Sequence, residues 1–192
     1  MLMFFGWCFV VVCCAFMIYF FCYAVEYFCC IYHKDQVPFV GSSRRQRRAV
    51  ADCVNKFYPN AKTCIEVGSG YGGMARYIAR HTKLKVWALE NMPFSVFVSR
   101  VFDLFCRADS QTVKSDAFQF IDNSEHGFDI AVAYLGPVCS RKILNHTKKI
   151  KVFISLNFEL KGLKPIRVID LKHGSVLYNF KKYPHKLFVY EF

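Results

Sequence analysis

The chain has 192 residues, 54% of them hydrophobic and 18% aromatic, yet its formal charge is +12. Residues 1–25 hold no Asp, Glu, Lys, Arg or His, whereas the remainder holds all 26 Lys and Arg and all 14 acids. This distribution excludes a purely soluble protein, a disordered one and a polytopic transporter, and it leaves one membrane segment joined to one basic domain.

As a helix, an uncharged run of 25 residues at about 1.5 Å per residue exceeds a ~30 Å hydrocarbon core. A cleaved signal peptide is the rival reading. Against it, no basic residue precedes the run, the run is long, and no small-x-small site precedes His33. The expectation is a retained anchor over residues 1–32. Lys34, Arg44, Arg45, Arg47 and Arg48 follow it, so the positive-inside rule places the domain on the cytoplasmic side, or the matrix side in a mitochondrial membrane. Six of the ten cysteines lie in or beside this segment. Cys53, Cys64, Cys106 and Cys139 are widely spaced, which indicates neither zinc nor a disulfide framework.

Residues 33–60 read as a linker and a first domain helix. Ser43-Arg44-Arg45-Gln46 is a capping box, and Ala49, Val50, Cys53, Val54 and Phe57 form an apolar stripe that ends near Pro59. Arginines in a first helical turn oppose the helix dipole, so they are expected to serve something outside the helix, with anionic headgroups the nearest partner. From residue 61 to 192, short β-rich runs alternate with helical ones. Strands are expected at Thr63–Val67, Lys85–Leu89, Thr112–Lys114, Asp129–Leu135 and Ile150–Leu156. Helices are expected at Gly72–His81, Pro93–Arg107 and Pro137 to about His146. Gly174–Phe180 and Lys186–Phe192 read as an antiparallel pair. The fold class is α/β, a three-layer sandwich behind an N-terminal transmembrane helix.

The segment Glu66-Val67-Gly68-Ser69-Gly70-Tyr71-Gly72-Gly73 takes a strand through glycines into a helix, the arrangement that brings backbone amides up to a ligand. Gly68, Gly70 and Gly73 satisfy the dinucleotide spacing, with Glu90 near the ribose-binding distance. Glu66, however, stands where dinucleotide domains usually carry an apolar residue. Glu66-x-Gly68-x-Gly70, then Glu90 after the second strand and Asp116 after the third, resembles class I S-adenosylmethionine-dependent methyltransferases of Rossmann-like fold. The resemblance implies that Glu66, Gly68, Ser69, Gly70 and Gly72 surround the methionine end of S-adenosylmethionine. It further implies that Glu90 pairs with the ribose hydroxyls and that Asp116 approaches the adenine amine. Two acceptor oxygens suit a vicinal diol, and a carboxylate suits the cofactor's ammonium.

Three further segments narrow the resemblance: Pro38-Phe39-Val40-Gly41-Ser42-Ser43, Leu89-Glu90-Asn91-Met92-Pro93-Phe94, and Tyr134-Leu135-Gly136-Pro137. Together they look like the small membrane-anchored lysine methyltransferases of mitochondria and their bacterial relatives, which act on the adenine nucleotide translocase and the ATP synthase c-subunit. That family usually carries Asp-Leu-Gly-Ser-Gly-Asp-Gly-Arg at the glycine turn. Here Glu66 replaces the Asp, Tyr71 an acid and Gly73 a base. The resemblance implies a membrane-associated protein substrate, with Tyr134 and Pro137 positioning the acceptor amine and Phe39 closing over it. Asp129 reads as a structural turn acid, and the scattered histidines suggest no metal. The basic residues Arg141, Lys142, Lys148, Lys149 and Lys151 read as a solvated, membrane-facing surface rather than a nucleic-acid site. A lipid headgroup or RNA methyltransferase and an inactive cofactor-binding scaffold remain as alternatives.

Overall fold

The structure is a computed structural model that describes residues 2–32, 40–106, 108–171 and 185–192. It divides into two compact units, 1–39 and 40–192. The first is a helix, α1 (Leu2–Tyr32). Within it, Trp7–Cys29 has a mean hydropathy of 2.5 and none of its residues is buried in the protein; this stretch is long and apolar enough to cross a membrane.

The second unit is built on α2 (Arg44–Phe57), β1 (Thr63–Val67), α3 (Gly73–His81), β2 (Lys85–Glu90), α4 (Pro93–Cys106), β3 (Ser110–Lys114) and α5 (Ala117–Asn123). It continues through β4 (Phe128–Ala133), α6 (Pro137–Arg141), a 3-10 segment (Lys142–Lys149), β5 (Ile150–Leu156), β6 (Arg167–Asp170) and β7 (Lys186–Glu191). One seven-stranded sheet has the order β3-β2-β1-β4-β5-β7-β6. Strands β1 to β5 pair in parallel, and β7 runs antiparallel between β5 and β6. The alternation of side chains along each strand feeds two cores. Cys64, Val86, Ala88, Ile130, Val132 and Ile154 pack with Val50, Val54, Met74 and Ile78 of α2 and α3. Ile65, Val67, Leu89, Phe128, Ala131 and Phe153 pack with Ile121 of α5 and Ile143 of the 3-10 segment. Helices on both faces of a largely parallel sheet make the expected three layers.

Local signals set the starts of α2 and α5. The Ser43 capping box forms, with Ser43 Oγ accepting from Gln46 N and Gln46 Oε1 accepting from Ser43 N. Three departures stand out. The helix α5 has no counterpart in the expectations; its start is the N-cap Asp116, whose Oδ1 accepts from Phe118 N and Gln119 N. The helix expected from Pro137 lasts five residues and gives way to 3-10 geometry. The sixth strand is Arg167–Asp170, whereas the expected strand at Gly174–Phe180 lies outside the described residues. Asp129 is structural as expected. It stands at the start of β4 and joins Lys62 N, Thr63 N, Thr63 Oγ1 and Lys151 Nζ. Burial works against its charge, but those bonds outweigh burial and hold the carboxyl down at about 2. Lys151 is thus tied locally, as is Lys149, which donates to the Asp122 and Ser124 carbonyls.

Candidate functional site

The strand order reverses between β1 and β4, which pair in parallel, and the crevice beyond their carboxyl ends is where open α/β sheets bind ligands. The glycine turn lies there. Its amides at Gly68 and Ser69 both donate to Leu89 O at 3.0 Å, stitching the end of β1 to β2. Gly68 and Gly72 have φ of 70° and 68°, the left-handed region. A Cβ on Gly68 would fall 2.6 Å from Leu135 Cδ2, so the residues after β4 lie directly over the turn. On Gly72 it would fall 2.3 Å from Ser99 Oγ. Only glycine fits either position.

Glu66 is 6% exposed, and its Oε2 accepts from Ala75 N at 2.8 Å in the first turn of α3. Burial pushes its carboxyl up to about 8. The Ala75 amide and the nearby Arg47 and Arg76 charges oppose the rise, and Glu90 adds to it. Glu90 closes the turn from the other side, with Oε2 accepting from Gly70 N at 2.7 Å and Oε1 accepting from Asn91 N and Met92 N. Ser69 Oγ is buried with no hydrogen-bond partner among the described residues. The fold therefore brings Glu66, Gly68, Ser69, Gly70, Gly72 and Glu90 into one cluster. Asp116 stands at the carboxyl end of β3, next to β2, with one carboxylate oxygen committed to capping α5.

Tyr134 directly follows β4, and Pro137 opens α6. The expected closing residue Phe39 lies outside the described residues. Beside Tyr134 is a residue that sequence reasoning missed. Asn157, after β5, takes φ of 64° and is 5% exposed. Its Nδ2 donates to Tyr134 Oη at 3.1 Å, while its Oδ1 is buried without a partner among the described residues. Asn tolerates the left-handed region better than most residues, which was the available signal. The other missed network centres on Arg76, 8% exposed in α3. Its Nη1 donates to Asp103 Oδ1 at 2.9 Å and to Ser99 O, and its Nη2 donates to Tyr71 O in the glycine turn. Thr112 Oγ1 donates to Asp103 Oδ2 at 2.6 Å. Among the described residues no cluster of His, Cys, Asp and Glu could hold a metal ion.

Comparison with solved structures gives many matches to the domain. An RNA methyltransferase from Salinibacter ruber, in complex with S-adenosyl-L-homocysteine, superposes with a TM-score of 0.63 at 14% identity, over 79% of this chain and 93% of that one. TrmK from M. capricolum, in complex with S-adenosyl-homocysteine, gives 0.59 at 17% identity, over 78% and 68%. An O-methyltransferase from Bacillus cereus gives 0.54 at 18% identity, over 61% and 58%. The fold is the Rossmann-like methyltransferase fold. No family model and no curated protein matches the chain. Within the methyltransferase fold, the sheet order and the single reversed strand β7 agree with the expected class.

Proposed function

We propose that the chain is a membrane-anchored S-adenosylmethionine-dependent N-methyltransferase acting on a lysine of a membrane-associated protein. The observation that carries the reading is the joint placement of Glu66, the glycine turn and Glu90 at the carboxyl ends of β1 and β2. The residues present fit the cofactor: Ser69 Oγ is a buried hydroxyl with no partner among the described residues, and two carboxyl groups, Glu66 and Glu90, flank the turn from opposite sides. In this reading Glu66 holds the cofactor's ammonium, Glu90 its ribose hydroxyls, and Asp116 lies toward its adenine. When bound, S-adenosylmethionine supplies a methyl group on a sulfonium, open to attack by a neutral nucleophile.

The chain's own task is to present that nucleophile. A lysine with an ordinary pKa of about 10.4 arrives protonated, and an apolar, cation-bearing site disfavours that charge. Tyr134, packed against Phe158, and the apolar Leu135 supply such surroundings. Asn157 Oδ1, a buried acceptor with no donor among the described residues, suits the N–H of an amine. Pro137 sets the backbone that leads from Tyr134 into α6. An anchor over Trp7–Cys29 would hold this site at a membrane, which favours a membrane-associated acceptor.

The test is calorimetry of the full chain in detergent with S-adenosylmethionine. Saturable heat is expected, and Glu90→Ala should weaken binding by about 10- to 100-fold, the worth of a charge-assisted hydrogen bond. Absence of heat from the wild type would overturn the reading. Incubation with membranes and methyl-labelled cofactor should then place label on protein lysine. Label confined to the lipid fraction or to RNA would replace the lysine acceptor with that one.

A further inference from the structure

One arginine of the basic cluster that opens α2 does not face outward. Arg44, Arg45 and Arg48 are exposed, and Arg48 pairs with Asp52 on the surface. Arg47 instead is partly buried and turns toward the start of α3. Its Nε donates to Ser42 Oγ at 3.0 Å, which fixes the plane of the guanidinium. A Cβ built on Gly73 would lie 2.7 Å from Cζ, 2.7 Å from Nη2 and 2.9 Å from Nη1. The guanidinium therefore lies across Gly73, filling the space that any side chain there would take. The expectation that this residue serves headgroups outside the helix is corrected for Arg47: α2 packs beside α3, and the arginine one turn from the Ser43 cap meets the glycine turn.

Its two terminal nitrogens have no hydrogen-bond acceptor among the described residues, although the group is removed from much of the solvent. Burial lowers its pKa, and the Glu66 carboxylate nearby works in the other direction. Glu66 Oε2 is taken by the Ala75 amide, and no salt bridge joins Glu66 to Arg47. The two groups thus stand near each other without pairing, at the positive end of α3. A guanidinium held at Nε offers its open edge as a fork, a shape that matches a carboxylate with two parallel hydrogen bonds. A cation fork and a carboxylate side by side are complementary to a zwitterion, the α-ammonium and α-carboxylate of an amino acid. They are poorly suited to a pyrophosphate, which Glu66 would repel.

We propose that Arg47 binds the α-carboxylate at the amino-acid end of the cofactor, opposite Glu66, which takes the α-ammonium. The assignment rests on the S-adenosylmethionine reading and makes Arg47 a positioning residue for the cofactor. It also accounts for Gly73: the base absent from the turn is supplied across space from α2.

Calorimetry of the full chain in detergent with two ligands tests it. S-adenosylhomocysteine carries the amino-acid end; 5′-methylthioadenosine keeps the nucleoside and sulfur but lacks it. Arg47→Met, which preserves the stem, should weaken S-adenosylhomocysteine about 10- to 100-fold and leave 5′-methylthioadenosine within about twofold. Arg47→Lys should fall between. Gly73 has no positive φ, so Gly73→Arg placed in the Arg47→Met background should recover part of the lost affinity. Unchanged S-adenosylhomocysteine binding in Arg47→Met overturns the assignment, and so does equal loss of both ligands, which would mark Arg47 as a mere prop for the turn. If the wild type binds neither ligand, the cofactor reading falls and takes this assignment with it.

Discussion

Asp103→Ala should destabilise the domain by about 3 kcal/mol, the low end for removing one partner of a buried ion pair. The low end applies because the Asp103 side chain keeps 19% of its exposure, against 10% for Arg76. The loss comes mainly from what stays behind. Without Asp103, the Arg76 guanidinium remains inside the fold with only the carbonyls of Ser99 and Tyr71 and the Ser99 hydroxyl, and Thr112 Oγ1 loses its carboxylate acceptor. Asp103→Asn keeps the shape and one acceptor, so it should lose less. Urea midpoints followed by circular dichroism read the difference, with an unchanged slope showing that only stability moved. A loss under about 1 kcal/mol would show that water screens the pair as it does at surfaces. Because Arg76 also holds the Tyr71 carbonyl, the same variant should loosen the glycine turn, and its cofactor affinity should drop with its stability.

Glu66→Gln should remove a pH dependence of stability that the wild type shows between about pH 5 and 8. Burial raises the folded carboxyl from 4.5 to about 8. Between those values the folded protein keeps a proton that the unfolded chain has released, so stability falls as pH rises. The contribution is whole below the unfolded value and gone once pH passes the folded one. At about 1.4 kcal/mol per pH unit, the span is on the order of a few kcal/mol. Glutamine mimics the protonated acid and cannot ionise, so the variant's midpoints should be flat where the wild type's decline. A flat wild-type profile would refute the burial argument. On the proposed reading, a cofactor ammonium beside Glu66 favours the ionised carboxylate, so binding near pH 7 should release a proton. Calorimetry in two buffers of different ionisation enthalpy measures that release directly.

Much of the sheet could be read from the residues because its central strands are mostly buried. Thr63–Val67 and Ile150–Leu156 are short, mainly apolar runs, and both emerge with the expected ends. At the edge the pattern fails. In Arg167–Asp170 three of four residues are exposed and no apolar alternation marks the strand. The helix α5 is hidden differently: Ala117–Asn123 is short and aromatic, and its clearest signal, the cap at Asp116, doubles as the acid that the resemblance places near a ligand. The glycine turn with Glu66 and Glu90 was legible because strand, turn and helix are contiguous there. Arg47 at Gly73 and Asn157 at Tyr134 were not, since each meets its neighbour only after elements 23 or more residues apart have packed.

The position of β7 has a consequence for the order in which the nascent chain can finish. Strands β5 and β6 do not touch; each is joined to the sheet through β7, whose residues Lys186–Glu191 are translated after both. Until they emerge, Ile150–Leu156 presents an open edge of apolar, β-branched sequence, the kind that pairs readily with other chains. The late strand is thus a latch. Its arrival covers the β5 edge and lets β6 join, so chaperone dependence during synthesis should concentrate in the interval between β5 and β7.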